Sequence, residues 1–140
     1  MAAARSVVDS NFLAALAVGE DPLHRWAISV LPQAPGPWLT CEACISETVF
    51  LIGEELGMAE VARLYEKIEF GLIECHRIVP DHLAAVMAES ARYHGRMVDF
   101  ADASLMVLSD LHPALPVVTA DRNDFAVYLR NRSGRTLVTR

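Results

Sequence analysis

The sequence predicts an α/β protein in which helices cover both faces of a central parallel sheet. Short apolar segments rich in β-branched residues alternate along the chain with longer segments whose apolar residues recur at helical spacing. Strands buried on both faces have such continuous apolar character. No internal repeat, low-complexity tract or linker interrupts the 140 residues, which are enough for one hydrophobic core. We therefore expect a single domain over residues 1–140.

Composition narrows the classes of function. Hydrophobic residues make up 53% of the chain and charged residues 21%, which is typical of a globular protein. No apolar run approaches the roughly 18 residues of a membrane helix, and we expect no signal peptide. The formal net charge of −6 disfavours a broad basic surface for duplex DNA. Three cysteines, an odd number, suit a reducing compartment, so we expect a cytoplasmic protein.

Periodicity and helix-capping signals predict the elements in chain order. They are a strand at 6–8, helices at 11–16 and 21–31, an extended segment at 38–39, helices at 43–51 and 58–70, a strand or irregular edge at 72–79, helices at 82–93 and 97–111, a strand at 115–119, a turn at 121–125 and a strand at 136–139. Asp21, Thr40 and Asp81 are the expected caps of the helices that follow them.

Six carboxylates fall where an α/β sheet offers groups to a ligand, at strand ends and helix starts or within an apolar helix. They are Asp9, Glu47, Asp99, Asp102, Asp121 and Asp124. Glu47 lies in the apolar stretch 43–50, which is expected to leave it few solvated faces. Structural roles are open as well: Asp9, Asp99 and Asp124 could be helix caps, and Glu47 could pair with an arginine.

Several carboxylates that lie close together repel one another and raise each other's pKa values. Hard divalent cations such as Mg²⁺ or Mn²⁺ relieve this repulsion, because they prefer carboxylate and water oxygens. Ions held in this way can lower the pKa of a water molecule and hold a phosphate for in-line displacement. A nuclease or a phosphatase fits this chemistry. The Asp-x-Asp pair of many phosphatases is absent, since Asn11 stands where the second aspartate would be.

Four segments resemble the successive motifs of PIN-domain ribonucleases, in particular the VapC-type toxins of toxin–antitoxin pairs. They are Val-Val-Asp-Ser-Asn at 7–11, Ser-Glu at 46–47, Asp-Phe-Ala-Asp-Ala-Ser-Leu at 99–105 and Val-Thr-Ala-Asp-Arg-Asn-Asp-Phe at 118–125. The resemblance implies a three-layer α/β/α sandwich with a central parallel sheet and a Mg²⁺- or Mn²⁺-dependent endoribonuclease that cleaves RNA. It also implies a cognate antitoxin and a homodimer as partners.

Carried over position by position, the resemblance implies which residues act. The metal-binding and catalytic acids would be Asp9, Glu47, Asp102 and Asp121. Auxiliary roles would fall to Asp99, to Asp124 as support of its loop, and to the Ser10 and Thr119 hydroxyls, which could bond a carboxylate or a metal-bound water.

Arginines cluster near the end of the sequence, at positions 122, 130, 132, 135 and 140. They could grip RNA phosphates beside the acidic turn, with Arg122 the nearest to it, or they could form a solvated charged tail. Tyr128 and Phe125 are the candidates for stacking on single-stranded bases, although Phe125 has the character of a core residue.

Two further interpretations remain open. Cys41-x-x-Cys44 with Cys75-His76 could form a zinc site, but buried cysteines are the default, and the Cys41–Cys44 run is not expected to touch the acidic pattern. A PIN-like binding module with weak catalysis is the alternative function. Such a module would dock RNA or a partner helix, and the helices at 21–31 and 58–70 would offer grooves for dimerisation or an antitoxin.

Overall fold

The computed structural model describes residues 3–140 and places an all-parallel sheet of five strands at its centre, in the order β3-β2-β1-β4-β5. The strands are β1 (Ser6–Val8), β2 (Trp38–Cys41), β3 (Ile73–His76), β4 (Val117–Val118) and β5 (Leu137–Val138). The helices are α1 (Ser10–Ala17), α2 (His24–Ser29), α3 (Glu42–Leu56), α4 (Met58–Glu69), α5 (Leu83–Ala91), α6 (Phe100–Leu111) and α7 (Arg122–Leu129).

Two separate hydrophobic cores lie on the two faces of the sheet. Successive residues of a strand point to opposite faces, so Val7 and Val117 pack in one core while Val8 and Val118 pack in the other. Helices α5, α6 and α7 contribute to the first core, and α1, α2 and α4 to the second. The predicted three-layer α/β/α sandwich with a central parallel sheet is confirmed.

Strand β1 lies in the middle of the sheet, between β2 and β4, and all three of its residues are buried. Because these strands are parallel, their carboxyl ends meet at one edge of the sheet. Helices α1, α3 and α7 follow β1, β2 and β4 within a few residues, so they begin at this edge. The chain order therefore brings the starts of three helices to one place.

The predicted caps of three helices are wrong. Asp21 accepts a hydrogen bond from the Leu23 backbone N–H, 2.7 Å away, and so closes a turn before α2 begins. Thr40 belongs to β2, and its hydroxyl donates to the Val8 carbonyl at 2.8 Å. The residue directly before α5 is His82 and not Asp81, and the His82 side chain makes no capping hydrogen bond. Short polar side chains bond equally well to turns, strands and helix ends, so the local sequence could not separate these roles.

Two boundaries near the acidic motifs also differ from the prediction. Helix α6 begins at Phe100, three residues later than expected, because the Asp99 carboxylate accepts from the Asp102 backbone N–H at 2.8 Å and caps the helix there. The predicted turn at 121–125 is the first turn of α7, where the Asp121 carboxylate accepts from the Asp124 N–H at 3.1 Å. Both helices therefore start on an aspartate of the acidic set.

Strand β3 forms the edge of the sheet next to β2, in keeping with the predicted edge segment at 72–79. Among residues 3–140, no helix combines the length and the apolar character that crossing a membrane requires.

Candidate metal centre

Asp9 occupies the carboxyl end of β1 and is only 5% exposed. Its Oδ1 accepts from the Ser10 backbone N–H at 2.7 Å and from the Ser10 hydroxyl at 3.3 Å, while Oδ2 accepts from the Thr119 hydroxyl at 2.7 Å. Burial raises the pKa of Asp9, these bonds oppose the rise, and the charge of Asp121 adds to it. Asp9 is thus both the cap of α1 and a buried carboxylate at the ligand-binding edge of the sheet.

Asn11 is a site residue that sequence reasoning missed. Its amide Nδ2 donates to the Thr119 hydroxyl at 3.2 Å, and its Oδ1 accepts from the Ala120 N–H at 3.0 Å. The Thr119 hydroxyl also accepts from the Asp121 N–H at 3.1 Å. Asn11 and Thr119 therefore tie the start of α1 to the turn that carries Asp121. A second polar residue directly after Asp9-Ser10, where α1 would otherwise be apolar, was the available signal.

Glu47 is exposed, which contradicts the expectation that apolar neighbours would enclose it. Helical spacing turns Cys44, Thr48 and Ile52 of α3 inward and leaves Glu47 at the rim. There it accepts a long hydrogen bond of 3.4 Å from the Ser10 hydroxyl. Partial burial and then the charges of Asp9 and Asp99 raise the pKa of Glu47.

Asp102 is partly buried in the first turn of α6. Burial, followed by the charges of Asp9, Asp99, Asp121 and Asp124, raises its pKa to about 8. Burial also raises the pKa of Asp121, and its own hydrogen bond from the Asp124 N–H opposes that rise. The charges of four other carboxylates therefore add to the rise in the pKa of Asp102.

The predicted acids form two adjoining groups at this edge of the sheet. In one, ligand atoms of Asp9, Cys44 and Glu47 all lie within 4.8 Å of one another, and in the other those of Asp102, Asp121 and Asp124 do. The two groups act on each other electrostatically, because the charge of Asp9 raises the pKa of Asp102 and the charge of Asp121 raises that of Asp9. Asp99 is exposed beside them and serves as the α6 cap. The expectation that the Cys41–Cys44 run does not touch the acidic pattern is wrong, since the Cys44 thiol donates to Asp9 Oδ1 at 3.8 Å.

The donor set suits a divalent cation. Carboxylate oxygens predominate, they come from four different elements, and burial together with repulsion among them raises their pKa values. A hard ion such as Mg²⁺ or Mn²⁺ would compensate that repulsion.

An arginine forms an ion pair with one of these acids. Arg96, in the segment between α5 and α6, forms an ion pair with Asp124. Its charge partly opposes the rise in the pKa of Asp121. Sequence reasoning missed Arg96, because nothing in its local pattern indicates which part of the chain it meets. Asp124 accordingly pairs with an arginine and lies beside the metal-binding candidates at the same time.

The arginine cluster divides into two sets. Arg132 and Arg135 both pair with Asp110, at 2.8 and 3.0 Å, so they are structural and not available for RNA. Arg122 and Arg140 line an open cleft of about 390 Å³ together with Asp121. These two exposed arginines keep the predicted position next to the acidic turn.

The proposed stacking residues are unsuitable for that role. Phe125 is completely buried and Tyr128 is 1% exposed, and both pack in the core that α7 shares with α6. The prediction for Tyr128 is therefore wrong, whereas the core character of Phe125 is confirmed.

Asp102→Asn is expected to stabilise the protein in the presence of a chelator, increasingly so at higher pH. An unfolded aspartate ionises near pH 4, whereas the pKa of Asp102 in the folded protein is about 8. Between pH 4 and pH 8, the folded protein keeps a proton on Asp102 that the unfolded chain has lost. The free energy of unfolding therefore falls as pH rises from about 4 to about 8. Removing the charge should raise it at pH 8 by on the order of 2 kcal/mol, since solvent screens a partly exposed group.

Urea denaturation in chelator at several pH values measures this effect. The control is Asp81→Asn, which removes the same charge from an exposed position and should leave the pH slope unchanged. Equal slopes for wild type and Asp102→Asn would contradict the prediction.

Three solved structures share the fold. VapC20 of Mycobacterium tuberculosis, a toxin that cleaves the sarcin–ricin loop, has a TM-score of 0.73 at 20% identity, over 86% of this chain and 93% of its own. A toxin–antitoxin complex from Klebsiella pneumoniae gives 0.70 at 20% identity, over 96% of each chain. FitAcB from Neisseria gonorrhoeae gives 0.62 at 16% identity, over 94% of this chain and 95% of its own.

No family model and no curated protein matches the sequence. At these identities, likeness to the solved structures establishes the fold. The resemblance noted in the four sequence motifs is confirmed at that level, as a PIN-like sandwich of the kind found in VapC toxins.

Proposed function

We propose that this protein is a metal-dependent endoribonuclease and the toxin of a toxin–antitoxin pair. The observation that carries the proposal is the convergence of Asp9, Glu47, Asp102 and Asp121, from four elements, on one edge of a PIN-like sheet. The names of two similar structures, a toxin that cleaves the sarcin–ricin loop and a toxin–antitoxin complex, support the same function.

In this proposal, the four acids hold Mg²⁺ or Mn²⁺. The bound ion would lower the pKa of an attacking water and compensate negative charge on the scissile phosphate. Ser10 and Thr119 orient the Asp9 carboxylate from opposite sides, through bonds of 3.3 and 2.7 Å. The Asp9 carboxylate is therefore already ordered before an ion binds, which is the general benefit of a preorganised site.

The remaining residues have supporting roles. Asp99 fixes the start of α6 and so the position of Asp102, and Asp124 fixes Arg96 beside the acids. Arg122 and Arg140 bind RNA phosphates in the cleft next to Asp121, and supply locally the attraction that a net charge of −6 does not. A cognate antitoxin and a second copy of this chain are the proposed protein partners, in the cytoplasm.

Incubation of the purified protein with a structured RNA tests the proposal directly. Cleavage at internal positions is expected with Mg²⁺ or Mn²⁺ and none with chelator, and mapping of the new RNA ends separates endonucleolytic cleavage from trimming. Glu66→Gln, an exposed α4 variant, is the control and should cleave at the wild-type rate. Divalent-ion binding without any cleavage would instead favour a catalytically weak binding module.

The toxin role has its own test. Expression of the wild-type chain in a bacterial host should arrest growth, and co-expression of a small neighbouring reading frame should relieve the arrest. If the host grows normally although the expressed protein cleaves RNA in vitro, the toxin role is contradicted and the nuclease proposal stands.

A further inference from the structure

Two cysteines lie together at the start of α3. Cys41 ends β2 and directly precedes the helix, and Cys44 follows three positions later, so helical spacing turns both side chains to one side. Both are buried free thiols, and they are close enough to hydrogen-bond to each other. A Cys-x-x-Cys pair at the beginning of a helix is a typical environment of reactive cysteines.

The two thiols have different surroundings. The hydrogen bond from the Cys44 thiol lowers the pKa of Cys41, whereas the bond with Cys41 and then burial raise the pKa of Cys44. Of the two, Cys41 lines a cavity of about 80 Å³, which it shares with the exposed residues Glu42 and Phe100. This volume exceeds the roughly 30 Å³ that a water molecule occupies, so hydrogen peroxide fits. A small oxidant therefore meets Cys41 first.

Cys44 connects the pair to the candidate metal centre. Its thiol donates to Asp9 Oδ1, and its sulfur lies within 4.8 Å of an Asp9 oxygen and a Glu47 oxygen. A disulfide has no S–H group to donate, so oxidation of the pair would remove a hydrogen bond from Asp9. Loss of such a partner of a metal ligand typically lowers metal affinity by about 10- to 100-fold.

We propose that Cys41 and Cys44 form a reversible disulfide that weakens metal binding at the candidate centre, so that peroxide slows the nuclease and a thiol reductant restores it. This regulation rests on the proposed function, because Asp9 belongs to the proposed metal site. Disulfides in a reducing compartment are usually transient and redox-sensing, which agrees with the cytoplasm proposed above.

The reaction balances with hydrogen peroxide as the oxidant. The Cys41 thiolate attacks one peroxide oxygen, the O–O bond breaks, and the leaving hydroxide takes up a proton to become water. The Cys44 sulfur then attacks the sulfur of the resulting sulfenic acid, the S–O bond breaks, and the thiol proton leaves with the hydroxide as a second water. In sum, the two sulfurs lose two electrons and the peroxide gains them.

Peptide mapping tests the disulfide in the wild-type protein without any variant. After stoichiometric peroxide and alkylation, the tryptic peptide 26–63 should have lost the mass of two hydrogen atoms and resist alkylation at both of its cysteines. Peptide 68–77, which carries Cys75, should be alkylated, and a reductant should restore alkylation of the first peptide. A link between the two peptides, or full alkylation of both after peroxide, would overturn the proposal.

Matched variants separate the roles of the two sulfurs. In Cys44→Ser, peroxide should leave a sulfenic acid on Cys41 that a dimedone probe captures, because no second thiol is left to displace it. Cys41→Ser should form no disulfide. Cys75→Ser, on β3, is the control and should form the disulfide as the wild type does.

Calorimetry with Mn²⁺ tests the effect on the centre. The affinity of the oxidised wild type should be at least about 10-fold lower than that of the reduced protein, and peroxide should leave the affinity of Cys41→Ser unchanged. Equal affinities in the oxidised and reduced wild type, together with metal-dependent RNA cleavage, would overturn the regulation and leave the nuclease intact. Absence of Mn²⁺ binding and of cleavage in the reduced protein would overturn the proposed function and with it the regulation.

Discussion

Asp9→Asn is expected to lower the rate of RNA cleavage at least about 100-fold. Loss of a residue that only hydrogen-bonds to a metal ligand already costs up to about 100-fold, and Asp9 is a proposed ligand itself. The substitution removes a charged residue that is proposed as a metal ligand and leaves the shape of the centre almost unchanged. An asparagine oxygen can still accept from the Ser10 N–H and cap α1, so the substitution costs the single hydrogen bond that the Thr119 hydroxyl donates to Oδ2. The fold should therefore persist.

Initial cleavage rates at saturating Mn²⁺, with circular dichroism on the same samples, measure the effect. Thr119→Val is the informative companion, because it removes the orienting hydroxyl and keeps the Asp9 charge. We expect a smaller loss for it, about 10-fold. Full activity of a folded Asp9→Asn variant would exclude Asp9 as a metal ligand and remove the main support for the nuclease.

Arg132→Met is expected to lower the free energy of unfolding by on the order of 3 kcal/mol. The Arg132 side chain is 8% exposed and pairs with Glu89, itself 2% exposed, at 2.7 Å. It also donates to the Tyr128 carbonyl at 2.5 Å and pairs with Asp110 at 2.8 Å. Its loss leaves the buried Glu89 carboxylate with Arg92, 3.5 Å away, and the Tyr93 hydroxyl, 2.9 Å away, as remaining partners.

Urea denaturation at neutral pH measures this loss. Arg122→Met is the matched control, since Arg122 is exposed, and it should change stability by less than about 0.5 kcal/mol. In the double variant Arg132→Met/Glu89→Leu most of the stability should return, because no buried charge is left unpaired. A loss below about 1 kcal/mol for Arg132→Met would show that the network contributes little.

The sequence predicted the layers well because their signal is local and repeated. Val7 and Val8 had to be buried on opposite faces, and the helical stretches between strands had to cover those faces. The predictions for Thr40, Asp81 and the turn at 121–125 were wrong because one short polar side chain serves several local structures. Tertiary context chose among them.

The candidate site likewise has features that the sequence predicted and features that it did not. The order Asp9, Glu47, Asp102 and Asp121 could be predicted from motifs, because three of these acids lie at a strand end or near a helix start and Glu47 lies in an apolar helical stretch. No sequence feature indicated that Arg96 meets Asp124.

By itself, the sequence determined the alternation of strands and helices, and hence a parallel sheet whose carboxyl ends gather the acids, since chain periodicity and connection rules dictate both. Only the tertiary structure decided that Glu47 is exposed, that Arg132 is tied to Glu89 and that Cys44 faces Asp9. The last two are contacts between residues 43 and 35 positions apart, and all three features depend on how whole elements pack.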